Sequence, residues 1–252
     1  MDPEIFNSFF DKIYVLTLQR ATDRHEKFKK ELSGLNYSIF YGKDKADFDI
    51  AELKEKNIYN EALAIKHERH GHPLSPGMIG CSWSHKLIYE DIIANNFEKV
   101  MILEDDIVIN QNNMKLVPQI LNDLPKDWEL LYFGFAKNEI APPLGAFKKY
   151  FYHFIKIFNG INYSHKTINN LYPRKVSEHL YTSGYHDCTH AYAITLSGAK
   201  KLLQLQTPIS FFPDNLLAHA ATNEIIKAFI TVPKIIDQEY QIGRSSHSYV
   251  NH

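Results

Sequence analysis

The sequence predicts an α/β fold, an open and mainly parallel sheet with helices on both of its faces. Two observations predict it. Short strand patterns alternate with helical patterns along most of the chain, as they do in sheets covered by helices. The 252 residues, 44% hydrophobic and 23% charged, are enough for one large core. We expect residues 1–252 to form a single domain, with residues 137–186 as an insertion.

The first half of the chain begins with a strand, a helix and a second strand. The run Ile13 to Leu18 is β-branched and aromatic and predicts a strand. The polar stretch ATDRHEKFKKELSG predicts a helix, and YSIFYG predicts the second strand. Residues 51–70 are weakly helical. Another helix follows, because four apolar side chains recur at helical spacing, namely Trp83, Leu87, Ile88 and Ile92.

The second half repeats this alternation around the insertion. After the strand VMIL, the apolar positions of residues 114–124 predict a helix, and WELLYFGF predicts a strand. HAYAITL is a predicted strand, SGAKKLLQL and DNLLAHA are predicted helices, and IIKAFITVP closes the pattern as a strand. Residues 137–186 interrupt it with a basic and aromatic segment that shows little periodicity.

Three consecutive carboxylates, Glu104, Asp105 and Asp106, end an apolar strand in KVMILEDDIVIN. Burying unpaired carboxylates is costly, so the carboxylates need a cation unless they lie in a solvated turn. At the carboxyl edge of an open parallel sheet they would line the usual ligand-binding crevice. Oxygen ligands suit Mg²⁺ or Mn²⁺, which keep positions open for water and phosphates. A cation–diphosphate site is the favoured hypothesis, with a solvated turn as the alternative.

Composition and charge exclude several classes of protein. The net charge of −1 gives no overall attraction to nucleic acid. No apolar run approaches the roughly 20 residues that span a bilayer, and MDPEIFNSFFDK lacks the pattern of a secretory signal. Cys81 and Cys188 are too few for a disulfide framework, so we expect free thiols and a cytoplasmic location. His67, His70 and His72 lack zinc-site spacing and predict a solvated loop.

Several stretches together resemble glycosyltransferase family 25, the group of lipooligosaccharide and collagen galactosyltransferases. In chain order they are IYVLTLQRATDRHEKF, LSPGMIGCSWSHKLIYEDI, VMILEDDIVI, WELLYFGF, HAYAITLSGAKKLL and VPKIIDQ. They cover about residues 12 to 240, and the ordered set is more specific than any one stretch. The sequence departs from the family at Thr17, where Asn is usual, and at Met78, where Glu is usual.

The resemblance implies a GT-A type fold and transfer of a sugar with inversion at its anomeric carbon. The implied donor is a UDP-sugar such as UDP-galactose, and the implied acceptor is a glycan or glycolipid of lipopolysaccharide or surface polysaccharide. Carried over to this chain, Asp106 is the ligand of a Mn²⁺ or Mg²⁺ ion and Glu104 is its partner. Asp105 is expected to contact the nucleotide or to support the metal ligands.

Further donor-site candidates surround the first strand and the helix that precedes VMIL. Arg20 and Arg24 follow the first strand, where guanidinium groups suit phosphate oxygens or a stacked base. Thr17, near the end of that strand, is a further candidate. Arg24 has the alternative of a solvated helix N-terminus. His85 is expected at the donor or diphosphate, with a structural contact as the alternative. His247, in the C-terminal tail, is a candidate to complete the metal shell.

Inversion needs a general base that takes the proton of the acceptor hydroxyl. Asp214, in FFPDNLLAH, is the first candidate, because it precedes the last helix of the family pattern. Its alternative is a plain helix N-cap, a position that Asp favours. Asp187, in YHDCTHAY, is the second candidate.

The segment 137–186 has three interpretations. It is a lid on the acceptor side, or a peripheral contact to the inner membrane through residues 147–175, or an insertion whose aromatic side chains pack together. Its basic residues outnumber Glu139 and Glu178, and they are Lys137, Lys148, Lys149, Lys156, Lys166, Arg174 and Lys175. Two functions compete with sugar transfer, hydrolysis of a nucleotide sugar and glycan binding by a degenerate transferase.

Overall fold

Ten strands lie in residues 3–244, the part of the chain that the computed structural model describes. They are β1 (Lys12–Thr17), β2 (Ser38–Tyr41), β3 (Lys99–Glu104), β4 (Ile107–Ile109), β5 (Leu130–Ala136), β6 (Arg174–Lys175), β7 (Leu180–Thr182), β8 (Asp187–Thr195), β9 (Ala228–Thr231) and β10 (Ile236–Gln238).

Ten α-helices accompany the strands within the same described residues. They are α1 (Glu4–Phe9), α2 (Thr22–Glu31), α3 (Ile50–Glu55), α4 (Glu61–His67), α5 (Pro76–Ala94), α6 (Val117–Asp123), α7 (Gly145–Ile157), α8 (His165–Asn169), α9 (Leu196–Leu205) and α10 (Pro213–Thr222).

One eight-stranded sheet forms the centre of the molecule, in the order β2-β1-β3-β8-β5-β9-β7-β6. Strands β2, β1 and β3 are parallel, and β9 is parallel to β5. Strand β8 runs antiparallel between β3 and β5, so these two neighbours point in the same direction. The carboxyl ends of β1 and β3 therefore share one edge of the sheet. The predicted α/β fold, with a largely co-directional sheet, is confirmed.

The period of two in β3 divides the core between the two faces of the sheet. Met101 and Leu103 pack with Phe28 and Phe133 on one face. Val100 and Ile102 pack on the other face, with residues of α5, α9 and α10. The central strands carry apolar residues on both faces, as expected for strands buried between helices. Burial of each such side chain contributes about 1.5–3 kcal/mol of hydrophobic free energy, which holds the strand ends in place.

The segment 137–186 is more regular than its sequence suggests. It contains α7 and α8, and β7 pairs with β9, so the segment extends the main sheet. A small cluster around Ile161, Tyr163 and Ile168 gives it a core of its own. One interpretation of the segment was an insertion whose aromatic side chains pack together. It fails for most of the aromatic side chains of α7, which are exposed. No helix within residues 3–244 has the length and apolarity needed to cross a bilayer.

Candidate active site

A cleft opens at the edge of the sheet where β1 and β3 end. Its empty volume is about 740 Å³. Residues from β1 and the loop after it form one wall, and the first turns of α5 form another. The carboxylates that end β3 lie at its floor. The lining residues include Thr17, Arg20, Arg24, Lys43, Asp44, Cys81, Ser84, Glu104, Asp105, Asp106 and Gln238.

The three carboxylates lie in a tight turn between two strands. Strand β3 ends at Glu104, and β4 begins three residues later at Ile107. Ile107 and Ile109 are buried, and β4 pairs with β10 in a separate two-stranded sheet. Both ends of the turn are therefore fixed by buried apolar residues. This arrangement holds Asp105 and Asp106 at the sheet edge although each is less than 10% exposed.

Asp105 receives two strong hydrogen bonds, one from the last residue of β1 and one from α2. Thr17 Oγ1 donates to its Oδ2 at 2.5 Å, and Arg24 Nη1 donates to its Oδ1 at 2.6 Å. The parallel pairing of Leu16 with Glu104 brings Thr17 beside the turn. Arg24 is itself buried, so its charge acts in a low dielectric and it is not a solvated helix terminus. Burial nevertheless keeps the pKa of Asp105 above its ordinary value.

Asp106 faces an amide from the second sheet. Gln238 Nε2 lies 3.1 and 3.2 Å from the two carboxylate oxygens, and Arg24 Nη1 lies 3.4 Å from Oδ2. Burial raises the pKa of Asp106 to about 7, and the neighbouring charges of Glu104 and Asp105 add to the effect. The turn thus carries more negative charge than its donors offset.

Glu104 lines the same cleft and contacts residues of β8 and α5. Thr189 Oγ1 donates to its Oε1 at 2.8 Å, and His85 Nε2 lies 3.9 Å from the same oxygen. His85 is buried, and its Nδ1 lies 2.8 Å from the hydroxyl of Tyr192. Burial raises the pKa of Glu104, but the hydrogen bonding and charge of His85 outweigh burial and hold the pKa below its ordinary value. His85 therefore lies behind Glu104 and supports it.

Asp214 lies beside this group and does not cap a helix. Helix α10 begins at Pro213 with Phe212 at the N-cap position, and Asp214 is one residue inside it. Its Oδ2 accepts a hydrogen bond from the backbone N–H of Cys188 at 2.7 Å, and Thr189 Oγ1 lies 3.4 Å from its Oδ1. Thr189 thus connects Asp214 with Glu104. Burial raises the pKa of Asp214 to about 7, and the charges of Glu104 and Asp187 contribute.

Backbone strain accompanies the contact to Asp214. Cys188 has φ +69°, a left-handed conformation that is unfavourable for a residue with a side chain. The pairing of β5 with β8 is irregular at this end, near Asp187. The strained residue directs its N–H at the Asp214 carboxylate. Strain of about 1–3 kcal/mol in such a position persists only when the surrounding structure fixes it.

Two predicted residues lie nearer to solvent and pair with charged neighbours. Arg20 is at the rim of the cleft, and its guanidinium forms an ion pair with Asp44. Asp187, the second candidate for the base, forms an ion pair with Lys137. The Lys137 ammonium therefore occupies one side of the Asp187 carboxylate.

The three histidines predicted to lie in a solvated loop are outside the cleft, and the prediction is wrong for His67, which is the last residue of helix α4. His67 stacks on Phe211 with ring centroids 3.9 Å apart, and its Nδ1 lies 3.2 Å from Ser210 Oγ. His70 and His72 are in a turn whose backbone N–H groups donate to Glu68. The prediction for His247 lies outside the described residues 3–244.

Comparison with known proteins identifies the family of the chain. The model of glycosyltransferase family 25, described as an LPS biosynthesis protein, matches residues 10–217. The chain belongs to glycosyltransferase family 25. This confirms the resemblance that the ordered sequence stretches suggested.

Over the aligned residues, family 25 relatives are about a quarter identical in sequence to the chain. Procollagen galactosyltransferase 2 from Mus musculus is 26% identical over 77% of the chain and 27% of its own length. A glycosyltransferase 25 family member from Anopheles gambiae is 30% identical over 79% and 29%. Inactive glycosyltransferase 25 family member 3 from Homo sapiens is 26% identical over 78% and 29%. The chain thus spans less than a third of the length of these relatives.

The donor atoms of this family 25 chain fit a divalent cation that shares its ligands with a substrate. Mg²⁺ and Mn²⁺ sites often use one or two carboxylates, and water and substrate phosphates complete the shell. Glu104 and Asp106 supply two carboxylates, and the pKa of Asp106 is raised first by burial and then by the negative charges of Glu104 and Asp105. Among residues 3–244, no three His, Cys, Asp or Glu side chains form a site able to hold an ion alone. A cation held here would therefore need phosphate or water as further ligands.

Three residues of the family 25 site were not predicted from sequence. Thr189 and Gln238 hold Glu104 and Asp106, and Cys188 holds Asp214. Neutral polar residues in strands carry no spacing signal of their own. The one local signal is the polar run HDCTH, Asp187 included, at the start of an otherwise apolar strand.

Proposed function

We propose that this chain is a metal-dependent, inverting glycosyltransferase that moves a sugar from a UDP-sugar to a glycan or glycolipid acceptor. One observation carries the proposal. A single hydroxyl, Thr189 Oγ1, connects a carboxylate of the strand-end turn, Glu104, with a separate carboxylate of raised pKa, Asp214. The chain thus brings together a group suited to cation binding and a group suited to proton transfer, in a family of glycosyltransferases.

The carboxylate turn is the proposed donor end of the site. Glu104 and Asp106 would hold the Mn²⁺ or Mg²⁺ ion, which when bound neutralises charge on the departing UDP. Asp105 positions Arg24, whose guanidinium is directed into the turn. Arg20 and Lys43, at the rim of the same cleft, supply positive charge for the diphosphate. Thr17 orients Asp105.

Asp214 is the proposed general base. In a single displacement the acceptor oxygen bonds to the anomeric carbon, the bond from that carbon to UDP breaks, and the acceptor proton passes to Asp214 Oδ. A pKa of about 7 suits a base that must accept and then release a proton near neutral pH. The N–H of Cys188 and the hydroxyl of Thr189 keep the carboxylate in a fixed orientation.

The finer features of the proposal rest on the relatives. Relatives named procollagen galactosyltransferases support galactose as the transferred sugar, and the family description supports a role in lipopolysaccharide synthesis. A cytoplasmic location remains part of the proposal and follows from the two free cysteines.

The test is UDP release from a panel of UDP-sugars, with Mn²⁺, in the presence and absence of oligosaccharide and glycolipid acceptors. We expect release from UDP-galactose that increases with an acceptor and disappears with a chelator. Asp106→Asn should abolish it. Asp127→Asn is the matched control, because Asp127 is an exposed carboxylate paired with Lys227, outside the cleft.

The same assay separates the competing functions. Release at an equal rate without any acceptor supports a nucleotide-sugar hydrolase and contradicts sugar transfer. A protein that binds a glycan but neither UDP nor Mn²⁺ is a degenerate transferase. The human relative named as inactive is a precedent for this alternative within the family. Release that Asp106→Asn leaves unchanged contradicts the proposed metal site.

A further inference from the structure

Helix α7 presents its apolar face to solvent. Its large apolar side chains recur at intervals of three and four residues, which places them on one side of a helix. In a soluble domain such a stripe normally faces the core. Here its six members are 50% to 75% exposed, namely Phe147, Tyr150, Phe151, Phe154, Ile157 and Phe158. We call this set the α7 stripe. Ile140 and Leu144, in the preceding loop, are also exposed and extend the apolar surface.

The opposite face of α7 is anchored to the protein by specific contacts. Tyr152 and Ile155 pack against the small cluster that includes Tyr163. Lys149 Nζ donates to the carbonyl of Asn169 at 2.6 Å, and His153 Nε2 lies 2.9 Å from the side-chain oxygen of the same residue. Arg69 Nη2 donates to the hydroxyl of Tyr152 at 2.9 Å. These contacts fix the rotation of the helix, so exposure of the stripe is a property of the fold.

The charge around the stripe indicates the kind of surface that the stripe contacts. Residues 137–186 carry seven basic and two acidic side chains, whereas the whole chain has a net charge of −1. Lys137 and Lys166 pair with acidic residues. Lys149 belongs to the anchored face, and the other four form no ion pair within residues 3–244, namely Lys148, Lys156, Arg174 and Lys175. Lysine is depleted at protein–protein interfaces, whereas a lysine-flanked aromatic helix suits the headgroup region of anionic lipids.

We propose that the α7 stripe docks on the interface of an anionic lipid bilayer. The 13 residues of α7 form a rod of about 20 Å that can lie flat at the interface. The aromatic side chains then enter the boundary between headgroups and acyl chains, and the lysines contact lipid phosphates.

Aromatic contacts connect the docking helix to the candidate base. Tyr152 contacts Tyr163 with ring centroids 6.1 Å apart, and Tyr163 contacts Tyr185 at 4.8 Å. The hydroxyl of Tyr185 donates to Asn215 Oδ1 at 3.0 Å, and Asn215 adjoins Asp214. If the proposed function holds, the bilayer therefore lies on the side from which a lipid-linked acceptor approaches Asp214. Docking itself does not depend on that function.

The test is co-sedimentation of the purified full chain with vesicles, without nucleotide or acceptor. One set of vesicles contains phosphatidylcholine with phosphatidylglycerol, and the other contains phosphatidylcholine alone. We expect the chain to bind the anionic vesicles and to be released by salt. The triple variant Phe147→Ser, Phe151→Ser, Phe154→Ser should bind at least about tenfold more weakly, because three buried aromatic contacts are lost.

Two further variants make the test specific. Tyr41→Ser removes an aromatic side chain that is 53% exposed on β2, the edge strand opposite β6, and should leave vesicle binding unchanged. Lys148→Glu combined with Lys156→Glu retains the stripe and should remove the preference for anionic vesicles. Circular dichroism and denaturant unfolding establish that each variant folds, as expected for exposed positions.

Three results would overturn the docking proposal. The first is a wild-type chain that binds neither set of vesicles. The second is a folded triple variant that binds as tightly as the wild-type chain. The third is a dimer in sedimentation velocity that the triple variant dissolves, without vesicle binding, because a second copy would then cover the stripe. Because no sugar donor is present, these results are independent of whether the chain transfers a sugar.

Discussion

Thr189 joins the two halves of the candidate site through a single hydroxyl. Its Oγ1 lies 2.8 Å from Glu104 and 3.4 Å from Asp214, and a hydroxyl has one proton to donate. When Asp214 is ionised, the two carboxylates compete for that proton. When Asp214 is protonated, it becomes a donor and Thr189 serves Glu104 alone. The protonation state of the base therefore alters the hydrogen bonding of the donor-side carboxylate.

Asp214→Asn tests the base directly. The amide oxygen still accepts from Cys188, and the amide nitrogen can donate to Thr189, so the geometry is retained. We expect UDP and Mn²⁺ affinity to be preserved and the rate of sugar transfer to fall by about 10²–10⁴-fold, the usual contribution of a general base. Titration calorimetry and a UDP-release assay measure the two quantities. Asp187→Asn is the control, and a larger loss of transfer there would make Asp187 the base.

The same Asp214→Asn variant should be more stable than the wild-type chain above neutral pH. The pKa of Asp214 is raised to about 7 in the folded protein, against about 3.9 in an unfolded chain. Ionisation of this group therefore costs folding free energy, and the cost grows as pH rises from about 4 through about 7. Denaturant unfolding should show a gain of roughly 1 kcal/mol or more at about pH 8, and little gain at about pH 4. A gain that is constant with pH would contradict this assignment.

Arg24→Leu should leave two buried carboxylates without their cation. Arg24 Nη1 lies 2.6 Å from Asp105 and 3.4 Å from Asp106. Removing one partner of a buried ion pair costs about 3–5 kcal/mol of unfolding free energy. The cost should be smaller at low pH, because both carboxyl groups have a raised pKa and take up protons.

Arg20→Leu is the control for Arg24→Leu. The ion pair of Arg20 with Asp44 is at the rim of the cleft, and Arg20 is largely solvated. Exposed ion pairs contribute about 0–1 kcal/mol, so this variant should lose little stability at any pH. Denaturant unfolding of both variants checks the pair. Equal losses would mean that the burial of Arg24 has no energetic consequence.

At the scale of elements, the contact between β5 and β10 positions one side of the carboxylate turn. Gly134 in β5 has no room for a side chain, since a Cβ would lie 2.2 Å from His190 Nε2 and 2.3 Å from the carbonyl of Ile236. Ile236 begins β10, and Gln238 at its end holds Asp106. The absence of one methyl group therefore sets the position of a residue in the cleft.

Gly134→Ala should displace β10 and weaken the site at the same time. Overpacking of this kind costs about 1–3 kcal/mol of unfolding free energy. Mn²⁺-dependent UDP binding should also fall, because Gln238 moves away from Asp106. Gly71→Ala is the control. Its Cβ meets nothing within 4 Å, so it pays only about 1 kcal/mol for its φ of +77° and should bind UDP normally. Unaltered UDP binding by a folded Gly134→Ala chain would contradict the role of β10.

The sequence predicted those elements well in which an apolar pattern coincides with burial in the core. The strand before Glu104 and the helix with Ile88 and Ile92 are apolar because they are buried, and both form as expected. It failed for α7, because residues 137–186 were expected to show little regular structure and no helix was predicted there. The direction of β8 was also beyond reach, because periodicity reports burial and not strand polarity. Thr189 and Gln238 enter the site only through that topology.

At the scale of the whole molecule, binding of the donor nucleotide should raise the free energy of unfolding. On the proposed function, UDP with Mn²⁺ would bind the folded chain only, so at 100 times the dissociation constant it would add about 2.7 kcal/mol to the free energy of unfolding. A thermal unfolding scan should show a higher midpoint with both ligands, reversed by a chelator. Asp106→Asn should remove the shift, and Asp127→Asn should retain it. A shift that persists in Asp106→Asn would place the donor elsewhere.

The central position of β8 has a consequence for biosynthesis. β3 is complete at residue 104, but the strand that covers its free edge ends at residue 195. A ribosome adds about 5–20 residues per second, so the apolar edge of β3 stays unpaired for several seconds while the chain emerges. Unpaired strand edges invite aggregation, which makes this nascent chain a natural client for chaperones. Release of a truncated chain that ends before residue 187 should give insoluble protein, because β3 and β5 then lack the strand that pairs with both of them.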